Sequence, residues 1–530
     1  MAPGRVMDTP TQLPCPPPPP PPPHFILFPL MTQGHTIPII DMARLLTDRG
    51  CLVTIVTTPL NSTRFEPTIH RANNHKHNPN LHPIRLIKLT FPCEQVGLPQ
   101  GYENLDVLPS PVFLKRFYDA LELLEEPLES ELQRLVQAPS CLISDRCLSW
   151  TARLAERLGI PRIVFHGMSC FSLLSALNIR KTNAHLSSAD EYEPFLVPGM
   201  PKCFHVHVSR VQLPGSFVRL PDLDDVRNKM QEAETTSFGV VANTSEELED
   251  GCAQEYQNAI GKKVWCIGPV SLRNTHNLDK FDRGNKPSID QSLVLEWLGQ
   301  RECGSVIYAC LGSLCRLIPA QLIELGLGLE ASGKPFIWVV KTDQRPTELE
   351  DWLVRSGFEE RVKGRGLLIK GWAPQVLILS HASVGGFLTH CGWNSTAEAI
   401  SCGVPMVTWP LFAEQFLNEK LVVEILSIGV RIGVESPVRW GNEETVGVMV
   451  TREAVEKAVT AIMNNSGEEG KKRKNRIKKL AEMTNKSMGD TGSSHLNLTE
   501  LIADVVKQQG ATQHALAKHV PSNRYDELRS

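Results

Sequence analysis

The sequence lacks any run of about eighteen consecutive apolar residues, the length that a helix needs to cross a lipid bilayer. It has no excess of one charge, because 55 basic and 58 acidic residues give a formal net charge of -3, too little to attract nucleic acid or anionic membranes. Its 14 cysteines include no CxxC pair and no regular spacing, which is typical of reduced thiols. We therefore predict a cytoplasmic protein with no integral membrane segment and no nucleic-acid partner.

Both ends of the chain lack the pattern of a folded domain. Residues 1–23 include a proline run from Pro16 to Pro23 and no apolar stretch of the signal-peptide kind, so we expect a disordered leader. Polyproline forms an extended helix that SH3-like domains bind, so the run is a candidate for weak contact with a protein partner. Residues 508–530 are polar without apolar periodicity, and we expect a loose tail.

Between these ends, short apolar runs alternate with segments of helical periodicity. This order is typical of parallel sheets covered by helices on both faces. At 530 residues the chain is too long for one ordinary core. We therefore predict an α/β protein with two doubly wound, Rossmann-like domains facing across a cleft: residues 24–262, a linker at 263–290, and residues 291–507 with a returning C-terminal helix. The predicted strands are residues 24–29, 51–58, 140–144, 162–165, 305–312, 335–340, 366–371, 384–388 and 405–409.

One glycine motif is misleading. The segment GLGLEA at 326–331 matches the dinucleotide fingerprint, which requires a strand before it and a helix after it. Here the glycines lie inside a predicted helix and a strand follows. We therefore reject a nicotinamide-dependent oxidoreductase.

A different segment has the context of an anion site. The predicted strand at 384–388 leads into His390, and a helix is predicted to begin near Asn394 or Ser395, both good N-caps. Free backbone N–H groups and the helix dipole favour an anion there, and Gly392 permits close approach of the backbone. His390 is able to donate to a phosphate oxygen. An ordinary capped helix would give the same local pattern, so this segment alone leaves both interpretations open.

The surrounding sequence favours the anion site. The 44 residues from Trp372 to Gln415 read WAPQVLILSHASVGGFLTHCGWNSTAEAISCGVPMVTWPLFAEQ. This block resembles, nearly position for position, the signature box of plant family-1 UDP-glycosyltransferases, and the resemblance extends from about His24 to about Val506. It implies a GT-B type fold, a UDP-sugar donor as co-substrate, a small-molecule acceptor and no metal or other cofactor.

The resemblance also assigns the donor site. Trp372 would stack on uracil, Gln375 would hydrogen-bond it, and Glu398 would bind the ribose hydroxyls. His390, Asn394 and Ser395 would hold the diphosphate. Gly312 and Ser313, on the turn after a strand, would add a phosphate loop. The final Glu-Gln pair would read the sugar, and a terminal glutamine favours glucose. The expected donor-binding residues are Gly312, Ser313, Trp372, Ala373, Gln375, His390, Gly392, Trp393, Asn394, Ser395, Glu398, Glu414 and Gln415.

The expected catalytic residues lie far upstream. His35 follows the first strand, and Asp145 ends the strand at 140–144, so both are predicted at carboxyl ends of strands. Taken alone, a lone histidine is usually structural, and an aspartate there is most often a cap. The resemblance makes His35 the base that takes a proton from the acceptor, and Asp145 its hydrogen-bonded partner, an arrangement that fixes the imidazole tautomer.

The acceptor is less well specified. The segment at 165–171 is expected to line its pocket through Met168 and Phe171, as the matching segment does in relatives. The resemblance covers enzymes for flavonoids, terpenoids and hormone-like molecules. We predict inverting transfer of glucose from UDP-glucose to a hydroxyl of a small lipophilic acceptor. The alternative is a non-catalytic sugar-nucleotide binder that recruits partners through the proline-rich leader.

Overall fold

The computed structural model describes residues 21–74, 82–341, 348–464 and 466–518. Residues 16–20 of the proline run, with the rest of the predicted leader before them, lie outside the described residues, as does the predicted tail beyond residue 518.

The first half of the chain builds a parallel sheet of seven strands, in the order β3-β2-β1-β4-β5-β8-β9. A separate antiparallel hairpin, β6-β7, lies between the fifth and sixth of these strands in the sequence. The strands are β1 (His24–Phe28), β2 (Leu52–Thr57), β3 (Arg85–Lys88), β4 (Cys141–Asp145), β5 (Arg162–His166), β6 (Pro194–Leu196), β7 (His207–Ser209), β8 (Gly239–Ala242) and β9 (Lys263–Cys266).

The second half builds another parallel sheet, of six strands in the order β12-β11-β10-β13-β14-β15. The strands are β10 (Val306–Cys310), β11 (Phe336–Val340), β12 (Gly366–Lys370), β13 (Val384–Thr389), β14 (Met406–Thr408) and β15 (Gly429–Arg431). Two parallel sheets with helical crossovers confirm the predicted α/β class and its two Rossmann-like halves.

Helices connect the strands of both sheets. They are α1 (Gln33–Thr47), α2 (Pro59–Ser62), α3 (Glu66–Asn73), α4 (Leu114–Glu122), α5 (Glu125–Gln133), α6 (Thr151–Arg157), α7 (Cys170–Thr182), α8 (Pro221–Thr235), α9 (Cys252–Ile260), α10 (Asn277–Phe281), α11 (Gln291–Gly299), α12 (Pro319–Ala331), α13 (Glu348–Arg355), α14 (Phe358–Arg361), α15 (Gln375–Leu379), α16 (Trp393–Ser401), α17 (Gln415–Lys420), α18 (Glu443–Val446), α19 (Arg452–Met463), α20 (Glu468–Ser487) and α21 (Ser493–Lys518). Within the described ranges, none of these helices is both long and apolar enough to cross a bilayer.

The central strands are buried on both faces, which explains why they read as continuous apolar runs. In β1, Phe25 and Leu27 belong to the apolar cluster on one face of the first sheet. Ile26 and Phe28 belong to the cluster on the other face. Successive side chains of a strand point to opposite faces, so a strand covered on both sides needs an apolar residue at every position.

The predicted linker boundary is wrong at one end. Residues Lys263–Cys266 pair with β8 and complete the first sheet, so this sheet extends into the segment predicted as linker. The chain then crosses to the second domain through residues 267–290, which include α10.

The last helix packs on the first domain rather than on the domain that precedes it. Leu498, Leu501 and Val505 of α21 are buried in the same cluster as Phe25 and Leu27 of β1. The helix continues to Lys518, so the expectation of a loose tail from residue 508 is wrong for residues 508–518. The C-terminal segment thus ties the two domains together.

Candidate active site

The predicted catalytic pair is assembled at the carboxyl edge of the first sheet. β1 and β4 are neighbouring parallel strands, so the loop after Phe28 and the end of β4 lie side by side. His35 is in the first turn of α1, and its Nδ1 lies 2.5 Å from Oδ2 of Asp145. The other carboxylate oxygen, Oδ1, accepts the backbone N–H of Cys147 at 2.9 Å. Both oxygens of Asp145 are therefore engaged, and its orientation is fixed.

This contact determines the chemistry of His35. Because a carboxylate accepts hydrogen bonds, Nδ1 carries the proton and Nε2 is left as the basic nitrogen. Partial desolvation by itself would lower the pKa of His35, but the carboxylate of Asp145 outweighs it and the net shift is upward. For Asp145, burial would raise the pKa, and the imidazole of His35 reverses this, so its pKa is lowered. The side chain of His35 is 37% exposed and that of Asp145 only 2%, so the base faces the cleft while its partner is buried.

A contact that the sequence analysis missed connects this pair to the second domain. Pro38 lies inside α1 and has no N–H to donate to the carbonyl four residues earlier, that of Gly34. The Gly34 carbonyl instead accepts the side-chain amide of Asn394 at 2.6 Å. The carbonyl oxygen of the same amide accepts from Asn243 at 3.0 Å. Asn394 therefore bridges the first turn of α16 and the turn that carries His35.

The predicted anion-binding end of α16 differs from the sequence analysis in its N-cap. The helix begins at Trp393 with Gly392 as N-cap, so neither Asn394 nor Ser395 is the cap residue, and no side chain caps this end. The uncapped N–H groups can donate hydrogen bonds to an anion. The indole of Trp393 is 2% exposed and donates to the carbonyl of Asn243 at 2.9 Å, so only its backbone can contact a donor.

His390 is held between two glycines. Gly312 has φ +80°, and a Cβ added there would lie 2.6 Å from Cε1 of the imidazole. A Cβ added at Gly392 would lie 2.4 Å from Nε2. Burial lowers the pKa of His390 to about 4, so in the ligand-free protein the ring is neutral at pH 7 and offers an N–H donor rather than a cation. Gly312 thus lies against His390, and the role of the glycine-serine turn as a phosphate loop stays a prediction.

The residues expected to bind uracil and ribose form a hydrogen-bonded group. The Gln375 side-chain NH₂ donates to Oε2 of Glu398 at 2.8 Å and to Oγ of Ser395 at 3.0 Å. The indole N–H of Trp372 donates to the carbonyl of Arg283 in the interdomain segment at 3.2 Å. Ala373, next to the indole, is almost completely buried and offers its backbone only. Gln375 thus joins Glu398 and Ser395 of α16 to the segment that begins with Trp372.

Glu414 of the predicted sugar-reading pair lies near His35. Desolvation raises the pKa of the Glu414 carboxyl, and the nearby His35 partly opposes this shift. Oε1 of Gln415 accepts the backbone N–H groups of Leu411 and Phe412 at 2.8 and 3.1 Å. The carbonyl end of Gln415 is therefore committed to its own loop, and its NH₂ is the group that remains for a ligand.

The expected acceptor-pocket residues have different outcomes. Phe171 is fully buried and packs edge-to-face against Phe204, so the expectation that it lines an open pocket is wrong. Met168 is half-buried in the loop between β5 and α7. Two residues of that region instead reach the second domain, because Ser169 and Ser172 both donate to Oδ1 of Asn418.

No group of three or more His, Cys, Asp or Glu side chains among the described residues is placed to hold a metal ion.

Comparison with known proteins gives a consistent identity. The family described as UDP-glucoronosyl and UDP-glucosyl transferase matches residues 291–483. UDP-glycosyltransferase 73D1 of Arabidopsis thaliana is 54% identical over 497 residues, covering 92% of this chain and 97% of that protein. UDP-glycosyltransferase 73C11 of Barbarea vulgaris is 48% identical over 485 residues, covering 91% of this chain and 96% of that protein.

Solved structures agree. UGT73P12 of Glycyrrhiza uralensis, complexed with glycyrrhetinic acid 3-O-monoglucuronide, superposes with a TM-score of 0.85 at 35% identity, over 94% of this chain and 98% of that one. UGT2 of Phytolacca americana, complexed with UDP-2fluoro-glucose and pterostilbene, gives a TM-score of 0.70 at 27% identity, over 91% of this chain and all (100%) of that one.

Proposed function

The chain belongs to the plant family-1 UDP-glycosyltransferases and has their two-domain GT-B architecture; we propose that it transfers glucose from UDP-glucose to a hydroxyl of a small lipophilic acceptor with inversion. Transfer of a sugar from a UDP-sugar to an acceptor follows from family membership. The choice of glucose, the stereochemistry and the acceptor class form the proposal, together with a cytoplasmic location and independence from metal ions.

In the proposed mechanism, the donor lies along the second domain. Uracil stacks on Trp372, the ribose hydroxyls donate to Glu398, and the diphosphate accepts from the uncapped N–H groups of α16. His390 adds a neutral N–H donor. Charge that develops on the departing UDP is met by dipoles already in place, which is where most of the electrostatic stabilisation arises.

The acceptor hydroxyl is placed at Nε2 of His35. As this nitrogen takes the hydroxyl proton, the oxygen attacks the anomeric carbon from the face opposite UDP. The bond from the anomeric carbon to UDP breaks, and UDP leaves with its electron pair. A single displacement turns an α-linked donor into a β-glucoside. The imidazolium that forms is stabilised by Asp145, the role for which its buried carboxylate is suited.

The observation that carries this proposal is the position of the His35–Asp145 pair. It faces the helix start of the other domain, to which it is connected through the Gly34 carbonyl and Asn394. A proton acceptor and an anion site thus meet across one cleft. A scaffold that only binds sugar nucleotides has no use for an oriented, exposed imidazole, so the geometry favours the enzyme.

Two further features support the finer choices. Gln415 ends the signature block, and its NH₂ is available to a sugar hydroxyl, which supports glucose. The Glycyrrhiza uralensis structure was solved with glycyrrhetinic acid 3-O-monoglucuronide and the Phytolacca americana structure with pterostilbene. These ligands support a small lipophilic acceptor for the present protein.

The test is mass-spectrometric detection of hexosylated product from purified protein, UDP-glucose and a panel of flavonoids, terpenoids and hormone-like alcohols. His35→Ala is the test variant, and His381→Ala, a histidine outside the site, is the matched control. We expect product from the wild type and the control, none from His35→Ala, and UDP binding by all three. Product formation by His35→Ala at the wild-type rate would refute the base assignment. UDP binding without product from any acceptor would favour the scaffold.

A further inference from the structure

The interdomain segment contributes one cation to the nucleotide site. Arg283 lies between β9 and α11, and its side chain is only 10% exposed. Its Nε donates to Oδ2 of Asp41, on α1 of the first domain, at 2.8 Å. Its Nη1 donates to Oε1 of Glu398, on α16 of the second domain. The two carboxylates are 2% and 4% exposed, so one guanidinium joins two buried acids from opposite domains.

The backbone around Arg283 is fixed from both sides. Gln33 of α1 donates to the side chain of Asn285 at 2.6 Å, and the N–H of Ser288 donates to the carbonyl of Trp372 at 2.9 Å. Gly284 has φ +92°, and a Cβ added there would lie 2.5 Å from Cζ2 of the Trp372 indole. The segment therefore packs directly on the residue expected to stack on uracil, and Arg283 has little freedom to move.

This arrangement determines how Glu398 is presented. Oε1 of Glu398 accepts from Arg283. Oε2 accepts from Gln375 at 2.8 Å. A carboxylate held by a donor on each oxygen keeps a single orientation and still has lone pairs for further donors. Without the guanidinium, Glu398 and Asp41 would both lose the cation with which they form ion pairs in the described part of the chain, and leaving buried carboxylates unpaired is strongly unfavourable.

We propose that Arg283 is a positioning residue for the donor: it orients Glu398 to accept the ribose hydroxyls and is itself anchored by Asp41 of the opposite domain. The proposal rests on the proposed function, since it assigns a cause to the ribose contact of the same site. Arg283 does not touch the reacting atoms. Its effect is confined to recognition of the ribose of the nucleotide.

The experiment compares UDP with 2′-deoxy-UDP and 3′-deoxy-UDP by isothermal titration calorimetry. Hydrogen bonds to a charged group make about a tenfold or larger difference in affinity, so the wild type should prefer UDP over at least one analogue by that factor. In Arg283→Gln the preference should fall to within about threefold. Arg273→Gln is the matched control, because Arg273 lies in the same segment and pairs with Asp48 away from the nucleotide site; it should keep the wild-type preference.

Steady-state kinetics should agree: Arg283→Gln should raise KM for the donor and leave KM for the acceptor unchanged. If Arg283→Gln does not fold, Arg283→Lys carries the test, because an ammonium keeps the charge but cannot span both carboxylates; a preference at the wild-type level in Arg283→Lys then overturns the proposal. Equal weakening of UDP and both analogues in a folded variant would show a merely structural role and also overturns it. If the wild type binds no UDP, the proposed function itself fails.

Discussion

Asp145→Asn is the substitution whose consequence the structure determines most fully. The change keeps the size of the side chain and replaces one oxygen by NH₂. The backbone N–H of Cys147 donates to Oδ1 at 2.9 Å and needs an acceptor, so the amide oxygen of the new side chain takes that position. The NH₂ group must then face Nδ1 of His35, where Oδ2 now lies at 2.5 Å.

An NH₂ group donates, so Nδ1 has to become the acceptor and the proton moves to Nε2. The nitrogen that faces the acceptor is then protonated and cannot act as a base. General-base catalysis is worth roughly 10²- to 10⁴-fold in rate. Asp145→Asn loses both the Nδ1-protonated tautomer of His35 and the carboxylate that stabilises the imidazolium, so we expect a rate loss in the upper part of that range. We expect kcat to fall by about 10³-fold or more, with the Kd for UDP unchanged because Asp145 does not reach the donor site.

The pH dependence gives an independent readout. In the wild type the pKa of His35 is raised above its usual 6.5, so kcat/KM should rise with pH through that raised value as the base loses its proton. In Asp145→Asn the carboxylate that contributes most to this rise is gone; desolvation, the largest single influence, then lowers the pKa of His35 against the smaller opposing effect of Glu414. The acidic limb of the residual activity should therefore move to lower pH.

The assay is product formation by liquid chromatography over a pH series, at saturating and at limiting acceptor. His381→Ala serves again as the control and should keep both the rate and the limb. A kcat for Asp145→Asn within about fivefold of the wild type would refute the tautomer argument. An acidic limb that stays in place or moves to higher pH would refute the electrostatic argument.

Three further predictions concern the second domain. Asn394→Ala removes the amide that donates to the Gly34 carbonyl; we expect a rise of roughly tenfold in donor KM together with a lower kcat in steady-state kinetics. Gly312→Ala forces a methyl group against His390, so we expect a loss of about 1–3 kcal/mol in unfolding free energy and weaker UDP binding. Gly333 has a φ of +66° and open space around it, so Gly333→Ala should lose only the stability that the unfavourable backbone conformation costs. His390 should stay neutral down to about pH 5 in NMR titration of the ligand-free protein, since burial lowers its pKa to about 4.

Each of these has a contrary result. An unchanged donor KM in Asn394→Ala would show that the bridge to the first domain does not support donor binding. Equal destabilisation by the two glycine substitutions would remove the steric role of the imidazole. Protonation of His390 near pH 6.5 would mean that the ring is more hydrated than its position between the two glycines implies.

Much of the fold was accessible from the sequence because it depends on local pattern. Strands buried on both faces give uninterrupted apolar runs, and every predicted strand has its counterpart within a few residues. The pairing of His35 with Asp145 was predicted from the family resemblance together with their places at strand ends, and the two side chains meet because parallel neighbours bring such ends together. The boundary at residue 263 was missed because β9 is an edge strand of four residues whose place depends on its pairing with β8.

The missed contacts have a common physical origin. Arg283 lies in a segment without apolar periodicity, and its two partners are 242 and 115 positions away in the sequence. Asn418 likewise accepts a hydrogen bond from Ser169, which is 249 positions away in the sequence. Such contacts follow from how two finished domains meet, and no local pattern records them. The N-cap prediction was wrong for the same reason, because the Asn394 side chain is used by the other domain rather than by its own helix.

Pro38 shows how a local defect becomes part of the site. A proline in the interior of a helix costs about 3 kcal/mol or more, partly because one carbonyl loses its donor. Here that carbonyl belongs to Gly34, next to His35, and it receives a hydrogen bond from Asn394 of the second domain. The missing bond is therefore offset only when the domains meet. The turn that carries His35 is completed by a residue at the start of α16, so the proposed base is held in place by the domain that is proposed to bind the donor.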